Sequence, residues 1–223
     1  MSRIWRWLRV LAFFATASNA AADERFALDT LAGLDARGVI VEPAVHEGKA
    51  GIRVVEKVQG AGDALVLLPV TDFRDGTIEL ELAGRPRADA APDMRGFVGV
   101  AFRVKDGRPL RYECFYVRPT NGRADDQLRR NHATQYVSHP DYPWYRLRKE
   151  SPGVYESYTD LVPGAWTRVK IVVRGARAEL FLHGNEQPSL IVRDMKGDGE
   201  PGGIALWVAQ GTEAFFRNVT VSP

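Results

Sequence analysis

The chain is poor in the residues that staple or metallate small domains. Of its 223 residues one is cysteine, Cys114, and four are histidine. A single cysteine excludes an intrachain disulfide framework and any cysteine-rich zinc module. His46, His132, His139 and His183 form no i,i+4 or His-x-His pair, which argues against zinc. No Gly-x-Ser-x-Gly elbow and no Gly-x-x-x-x-Gly-Lys loop occurs, so the sequence pointers to serine hydrolases and P-loop nucleotides are missing. Missing too is any apolar run of the ~20 residues needed to span a bilayer. Helical periodicity is scarce, its best stretch being the short Phe26–Asp35.

An excess of charge of one sign is also absent once the N-terminus is set aside. Met1–Arg9 carries Arg3, Arg6 and Arg9 without an acid, Val10–Ala17 is apolar, and Ser18–Ala22 is a run of small residues. A basic head, a short apolar core and a small-residue exit describe a secretory signal peptide over residues 1–22, cleaved after Ala20 or Ala22. Cys114 lies far from that site, so no acceptor for a bacterial lipid anchor stands beside it. The expectation is an exported protein, periplasmic or extracellular, with no membrane anchor after cleavage. Removing three arginines from 30 basic residues leaves 27 against 28 acidic ones, a formal −1. Global attraction to nucleic acid is therefore not expected.

What is present is alternation. Val39–Val45 and Ile52–Val58 flank a Gly48–Gly51 turn and read as a hairpin. Ile78, Leu80 and Leu82 face one way, Thr77, Glu79 and Glu81 the other. Val98, Val100, Phe102 and Val104 oppose Gly99, Ala101 and Arg103; Val169, Ile171 and Val173 oppose Arg168 and Lys170. Ala178, Leu180 and Leu182 repeat the pattern, as do Ile204, Leu206 and Val208, opposite Trp207. Period two marks strands with one face in a core. Many such strands between Gly- and Pro-rich turns imply two packed antiparallel sheets, here one domain over 23–223.

This strand set resembles the concanavalin A-like lectin/glucanase superfamily, in its laminin-G-like and 3-keto-disaccharide-hydrolase-like branch. The resemblance rests on Asp72-Phe73-Arg74-Asp75-Gly76-Thr77-Ile78-Glu79, Gly99-Val100-Ala101-Phe102-Arg103 and Trp166-Thr167-Arg168-Val169-Lys170-Ile171. It continues in Ala178–Gly184, Gly203-Ile204-Ala205-Leu206-Trp207 and Phe216-Arg217-Asn218-Val219. It implies an all-β jelly-roll sandwich with a long polar insertion between central strands, and a protein that binds glycans or cleaves glycosidic bonds. Fold alone does not choose between those.

The informative segment is 111–160, with the insertion proper at about 119–160. Within 111–150 eight basic residues face five acidic ones, so the stretch is +3 in an otherwise acidic chain. Its aromatics argue against disorder. A sugar groove needs flat rings against C–H faces and planar polar groups for hydroxyls. Tyr116, Tyr136, Trp144 and Trp207 supply the first; Arg103, Arg118, Asn121, Gln127, His132 and Gln135 supply the second. The competing reading pairs the arginines internally with Asp125, Asp126, Asp141, Glu150 and Glu156, giving an interaction protein without a small ligand.

Hydrolysis needs two carboxylates about 5–5.5 Å or about 6.5–9.5 Å apart. The glucanases of the superfamily carry theirs as Glu-x-Asp-x-x-Glu, a run this chain lacks. Glu113, Asp126, Glu150, Glu156 and Asp160 are the loose candidates, and a uronate lyase would draw on Arg118, Gln135, His132 and Tyr136. No cofactor is expected. Asp72, Asp75, Asp194 and Asp198 lie in turns that would suit a structural calcium, although Asp in such turns is ordinary turn chemistry.

Overall fold

The computed structural model describes residues 22–58 and 64–223; the signal peptide expected over residues 1–22 falls, but for Ala22, outside them. In chain order the strands are β1 (Glu24–Phe26), β2 (Asp35–Arg37), β3 (Val39–His46), β4 (Lys49–Glu56) and β5 (Leu65–Leu67). β6 (Gly76–Pro86), β7 (Val98–Lys105), β8 (Arg111–Val117), β9 (Thr134–His139) and β10 (Glu156–Ser157) follow. β11 (Thr167–Arg174), β12 (Arg177–Leu182), β13 (Leu190–Val192), β14 (Gly203–Val208) and β15 (Thr212–Ser222) complete the set. Two short helices, α1 (Gln127–Arg130) and α2 (Trp144–Glu150), interrupt the middle of the chain.

The strands form two antiparallel sheets. The first runs β13-β12-β11-β6-β15-β4-β3, with β1 added beside β15; the second runs β10-β9-β8-β7-β14-β5-β2. Alternation decides their inner faces. Leu80, Val169 and Leu182 make one cross-strand row of the first sheet, and Ile78, Ile171 and Leu180 the next. Val98, Val100, Phe115 and Val117 of the second sheet meet Leu82, Val169 and Leu180 across the core. The chain is thus the two-sheet jelly-roll sandwich expected of it.

The β3–β4 hairpin turns on Glu47 and Gly48, both left-handed at φ 50° and 73°. That is the backbone of a two-residue turn matching the strand twist. Pro43 sits on edge strand β3, where its missing N–H interrupts no inner ladder. Phe26–Asp35 forms no helix: β1 ends at Phe26, Leu28 takes a left-handed φ of 61°, and a turn leads into β2.

The segment 111–160 departs from the expected excursion between central strands. Its β8, β9 and β10 are the last three strands of the second sheet, and 118–133, 140–155 and 158–160 leave it. Six of the seven residues of β8 are buried. A strand covered on both faces has no polar side to alternate, so period two does not mark it.

Candidate functional site

The outer face of the second sheet carries the site. Register places Leu65, Trp207, Gly99, Tyr116, Gln135 and Glu156 in one transverse row across six neighbouring strands. Gly99 sets its geometry. A Cβ there would lie 2.6 Å from Tyr116 Cβ, and closer still to the Phe115 carbonyl oxygen. With no side chain between them, Tyr116 and Trp207 lean together over β7, ring centroids 4.8 Å apart and planes 31° apart. Trp207 Nε1 donates to the Tyr112 hydroxyl at 3.3 Å. Trp207 therefore projects away from the core, as its place opposite Leu206 and Val208 requires, and it stays half-buried.

These rings line a groove of about 580 Å³, inside the range of small-ligand sites. Tyr112, Tyr116, Val137, His139 and Trp207 belong to the strands beneath it. Pro143 and Trp144, at the start of α2, form one wall; Met94 and Phe97, ahead of β7, form another. Trp144 remains 43% exposed. Among the described residues the one carboxylate in the lining is Glu56, at the end of β4.

Beside the groove the outer face turns polar. Arg118 is buried against the rings of Tyr116 and Phe97, at 5.0 Å and 6.0 Å from their centroids. Its guanidinium donates to the Tyr116 hydroxyl at 2.9 Å, to Gln135 Oε1 at 3.1 Å and to the His132 carbonyl at 2.9 Å. Gln135 in turn donates to the Tyr136 and Tyr155 carbonyls. Glu156 ends the row, holding Arg148 at 2.6 Å and His132 Nε2 at 3.2 Å. Arg148 also stacks on Trp144, 4.8 Å from its ring centroid. Burial pushes the Tyr116 phenol up to about 12, so it stays a neutral donor. Burial likewise lowers the His132 pKa, outweighing the pull of Glu156.

The remaining expected residues sit elsewhere. Tyr136 points into the core, packed on Phe115 and Tyr155. Its hydroxyl donates to Glu113 and accepts from Lys196 N at 2.6 Å. Glu113 also accepts from Gly197 N at 2.7 Å, and burial raises its pKa. It lies at a second cavity of about 240 Å³ that shares Tyr112 and His139 with the groove. Arg103 borders the same cavity, held by Arg74 O, Asp75 and Gly175 O. Asn121 is buried, bridging the His132 carbonyl and Arg129. Gln127 pairs with Asn131 on exposed α1, and Asp126 caps that helix. Glu150 pairs with Arg146 and Asp160 with Arg123.

Two pairs of catalytic candidates are thus brought together, Glu113 with Tyr136 and His132 with Glu156, while Asp126 stays apart in its cap. Asp75, Asp194 and Asp198 are each engaged by Arg103, Lys196 and Lys105. Among the described residues no three His, Cys, Asp or Glu side chains come together as a metal site. Sequence reasoning did not single out Tyr112, His139, Phe97, Met94 or Glu56. Tyr112 alone carried a signal, standing two steps of period two before Tyr116.

Residues 29–222 match the family model of the 3-keto-alpha-glucoside-1,2-lyase-like domain. The chain belongs to that family. A search of curated proteins finds no match. Among solved structures the 3-keto-alpha-glucoside-1,2-lyase-like chain is similar to the carbohydrate-binding module CBM66 from Bacillus subtilis. The two share 14% identity at a TM-score of 0.58, covering 86% of this chain and 96% of that one. A Bacillus subtilis protein of unknown function with a galectin-like fold follows, 12% identical at a TM-score of 0.56, with 92% and 97% covered. The Crh5 transglycosylase is 12% identical at a TM-score of 0.52, with 91% and 85% covered. At such identities the likeness establishes the fold, which serves binding modules and enzymes alike.

Chemically, this member of the family offers an aromatic platform, a fixed row of neutral and charged hydrogen-bonding groups beside it, and a buried carboxyl–phenol pair in the adjoining cavity. Among the described residues the groove lining holds no carboxylate pair.

Proposed function

We propose that the protein binds a carbohydrate along the outer face of the second sheet, as an exported protein whose N-terminal segment is its secretion signal. The observation that carries the reading is the Tyr116–Trp207 platform, closed over Gly99 in an open groove with Trp144 at its wall. Sugar rings present apolar C–H faces that stack on such rings, while Gln210, Glu56 and His139 line the same groove and suit hydroxyls. Among the described residues the lining carries one carboxylate, Glu56, which supports binding over double-carboxylate hydrolysis.

Tryptophan fluorescence titrated with an oligosaccharide panel tests this. Trp207→Ala should weaken the best ligand by about 30-fold or more, the ~2 kcal/mol of a hot-spot aromatic. Trp166→Ala should not, because Trp166 is hydrogen-bonded to the His46 carbonyl and lies outside the groove lining. Equal losses in both variants, or none in either, would remove the groove from consideration.

A second reading, cleavage of a glycosidic bond, draws on Glu113 and Tyr136. Their cavity adjoins the groove through Tyr112 and His139, and the family's name is that of a lyase. Release of reducing ends or 3-keto sugars from a glycoside panel, abolished in Glu113→Gln, would establish it.

A further inference from the structure

Three arginines behind one end of the groove have no carboxylate partner among the described residues; Arg130 has none either, but it lies over the Tyr158 ring and donates to that hydroxyl. In the same part of the chain Arg111, Arg123, Arg146 and Arg148 each pair with an Asp or Glu. Arg95, Arg118 and Arg129 make no ion pair among the described residues. Their partners are neutral: Arg95 Nη1 donates to the Pro92 and Met94 carbonyls, both at 3.1 Å. Arg129 donates from Nε to Asn121 Oδ1 at 3.0 Å, and from Nη2 to the Thr120 carbonyl and hydroxyl. Arg118 donates to a carbonyl, a phenol and an amide oxygen.

One scaffold holds the three together. Thr120 N donates to the Arg95 carbonyl while the Thr120 hydroxyl holds Arg129. Asn121 joins Arg129 to the His132 carbonyl that Arg118 also occupies. The nearest acids are otherwise used or exposed: Asp126 caps α1 through Arg129 N at 2.7 Å, and Asp93 lies in the exposed turn before Met94. Burial, with Arg129 and Arg118 nearby, lowers the Arg95 pKa. Arg118 is buried; Arg95 and Arg129 are half-buried, leaving Arg95 Nε and Nη2 and Arg129 Nη1 without a hydrogen bond among the described residues. Partly buried cations with spare donors and no carboxylate in ion-pair contact are poised for an anion; Asp93 attracts Arg95 only from a distance. The cluster adjoins the groove through lining residues: Arg118 packs on Phe97 and Tyr116, and Met94 immediately precedes Arg95.

We propose that Arg95 and Arg129 form a subsite for an oxyanion carried by the bound sugar, making the ligand an acidic glycan. This rests on the carbohydrate reading of the groove and narrows its substrate class. A uronate carboxylate and a sulfate ester share the required chemistry, because the arginine fork donates to two oxygens of either.

The test is calorimetric titration of size-matched neutral, uronate and sulfated oligosaccharides against the wild type and the Arg95→Gln/Arg129→Gln double variant. Both substituted side chains are half-exposed, and the melting temperature checks that the variant folds. An acidic ligand should bind at least about tenfold tighter than its neutral counterpart, from charge-assisted hydrogen bonds gained. That preference should vanish in the double variant with neutral binding retained. It should also shrink as NaCl rises from about 0.05 M to about 0.5 M. The stronger of the uronate and sulfate series identifies the anion. Trp207-dependent binding of neutral and acidic sugars with equal affinity would overturn the subsite and leave the groove reading standing. A preference that survives the double variant would also overturn it. No glycan binding at all would remove both.

Discussion

Gly99→Ala is the sharpest probe of the groove, because it adds one methyl group where the platform needs none. The new Cβ would stand 2.6 Å from Tyr116 Cβ and 2.7 Å from Tyr116 Cα, with the Phe115 carbonyl oxygen nearer still. These are backbone and near-backbone atoms of the paired strand, so no flexible side-chain tip can swing aside. Relief requires β7 and β8 to part, or Tyr116 to leave Trp207. Overpacking of this kind costs about 1–3 kcal/mol. Replacing glycine returns ~0.4–1 kcal/mol through the unfolded chain. The net destabilisation is then about 1–2 kcal/mol, and at ~2–4 °C per kcal/mol the melting temperature falls by about 2–8 °C. Scanning calorimetry reads that shift, and near-UV circular dichroism reads the Tyr116–Trp207 coupling, which should weaken. Glycan affinity should fall with it. A variant that melts at or above the wild-type temperature with an unchanged aromatic spectrum would refute the claim that Gly99 sets the floor.

Glu113, whose pKa burial raises above its ordinary 4.5, takes up a proton in the native state that the unfolded chain does not hold. Its contribution is complete below the unfolded value and is lost as pH rises through the native one. Glu113→Gln should therefore flatten the decline in melting temperature as pH rises above 4.5, and an unchanged slope would remove Glu113 as its source. His132 works in the opposite sense: burial depresses its pKa from 6.5, so its contribution is lost as pH falls below that value, and His132→Asn should reduce acid sensitivity in pH-dependent melts. Glu156→Gln removes the charge that holds Arg148 and His132 and should cost about 1–3 kcal/mol in urea unfolding, discounted because Arg148 is partly solvated.

Of the arginine-rich segment, composition conveyed its order but not its architecture. The expectation that its arginines pair internally holds for Arg111, Arg146 and Arg148, with Asp141, Glu150 and Glu156. It does not hold for Arg118, Arg129 and Arg130, nor for Arg95, which lies before the segment. Nothing in their spacing separates the two groups, because which carboxylate each guanidinium reaches depends on how 118–133 folds back over the sheet. Tyr136 shows the same limit. As a residue type it suits a groove, yet its partner on β8 is Phe115, and that register turns it inward.

Local alternation was enough to establish the strands with one solvated face, and with them the sandwich and the outward side of Trp207. Period two is a property of neighbouring residues and needs no knowledge of the partner strand. The groove was decided only by tertiary structure. Its residues come from β4, the turn before β7, β8, β9, the start of α2 and β14. Their convergence depends on register across six strands and on a glycine whose importance lies in what its neighbours lean over. The pairings of β14 with β5 and with β7 leave no periodic trace along the chain, because Trp207 meets Leu65 and Gly99 from far away in sequence.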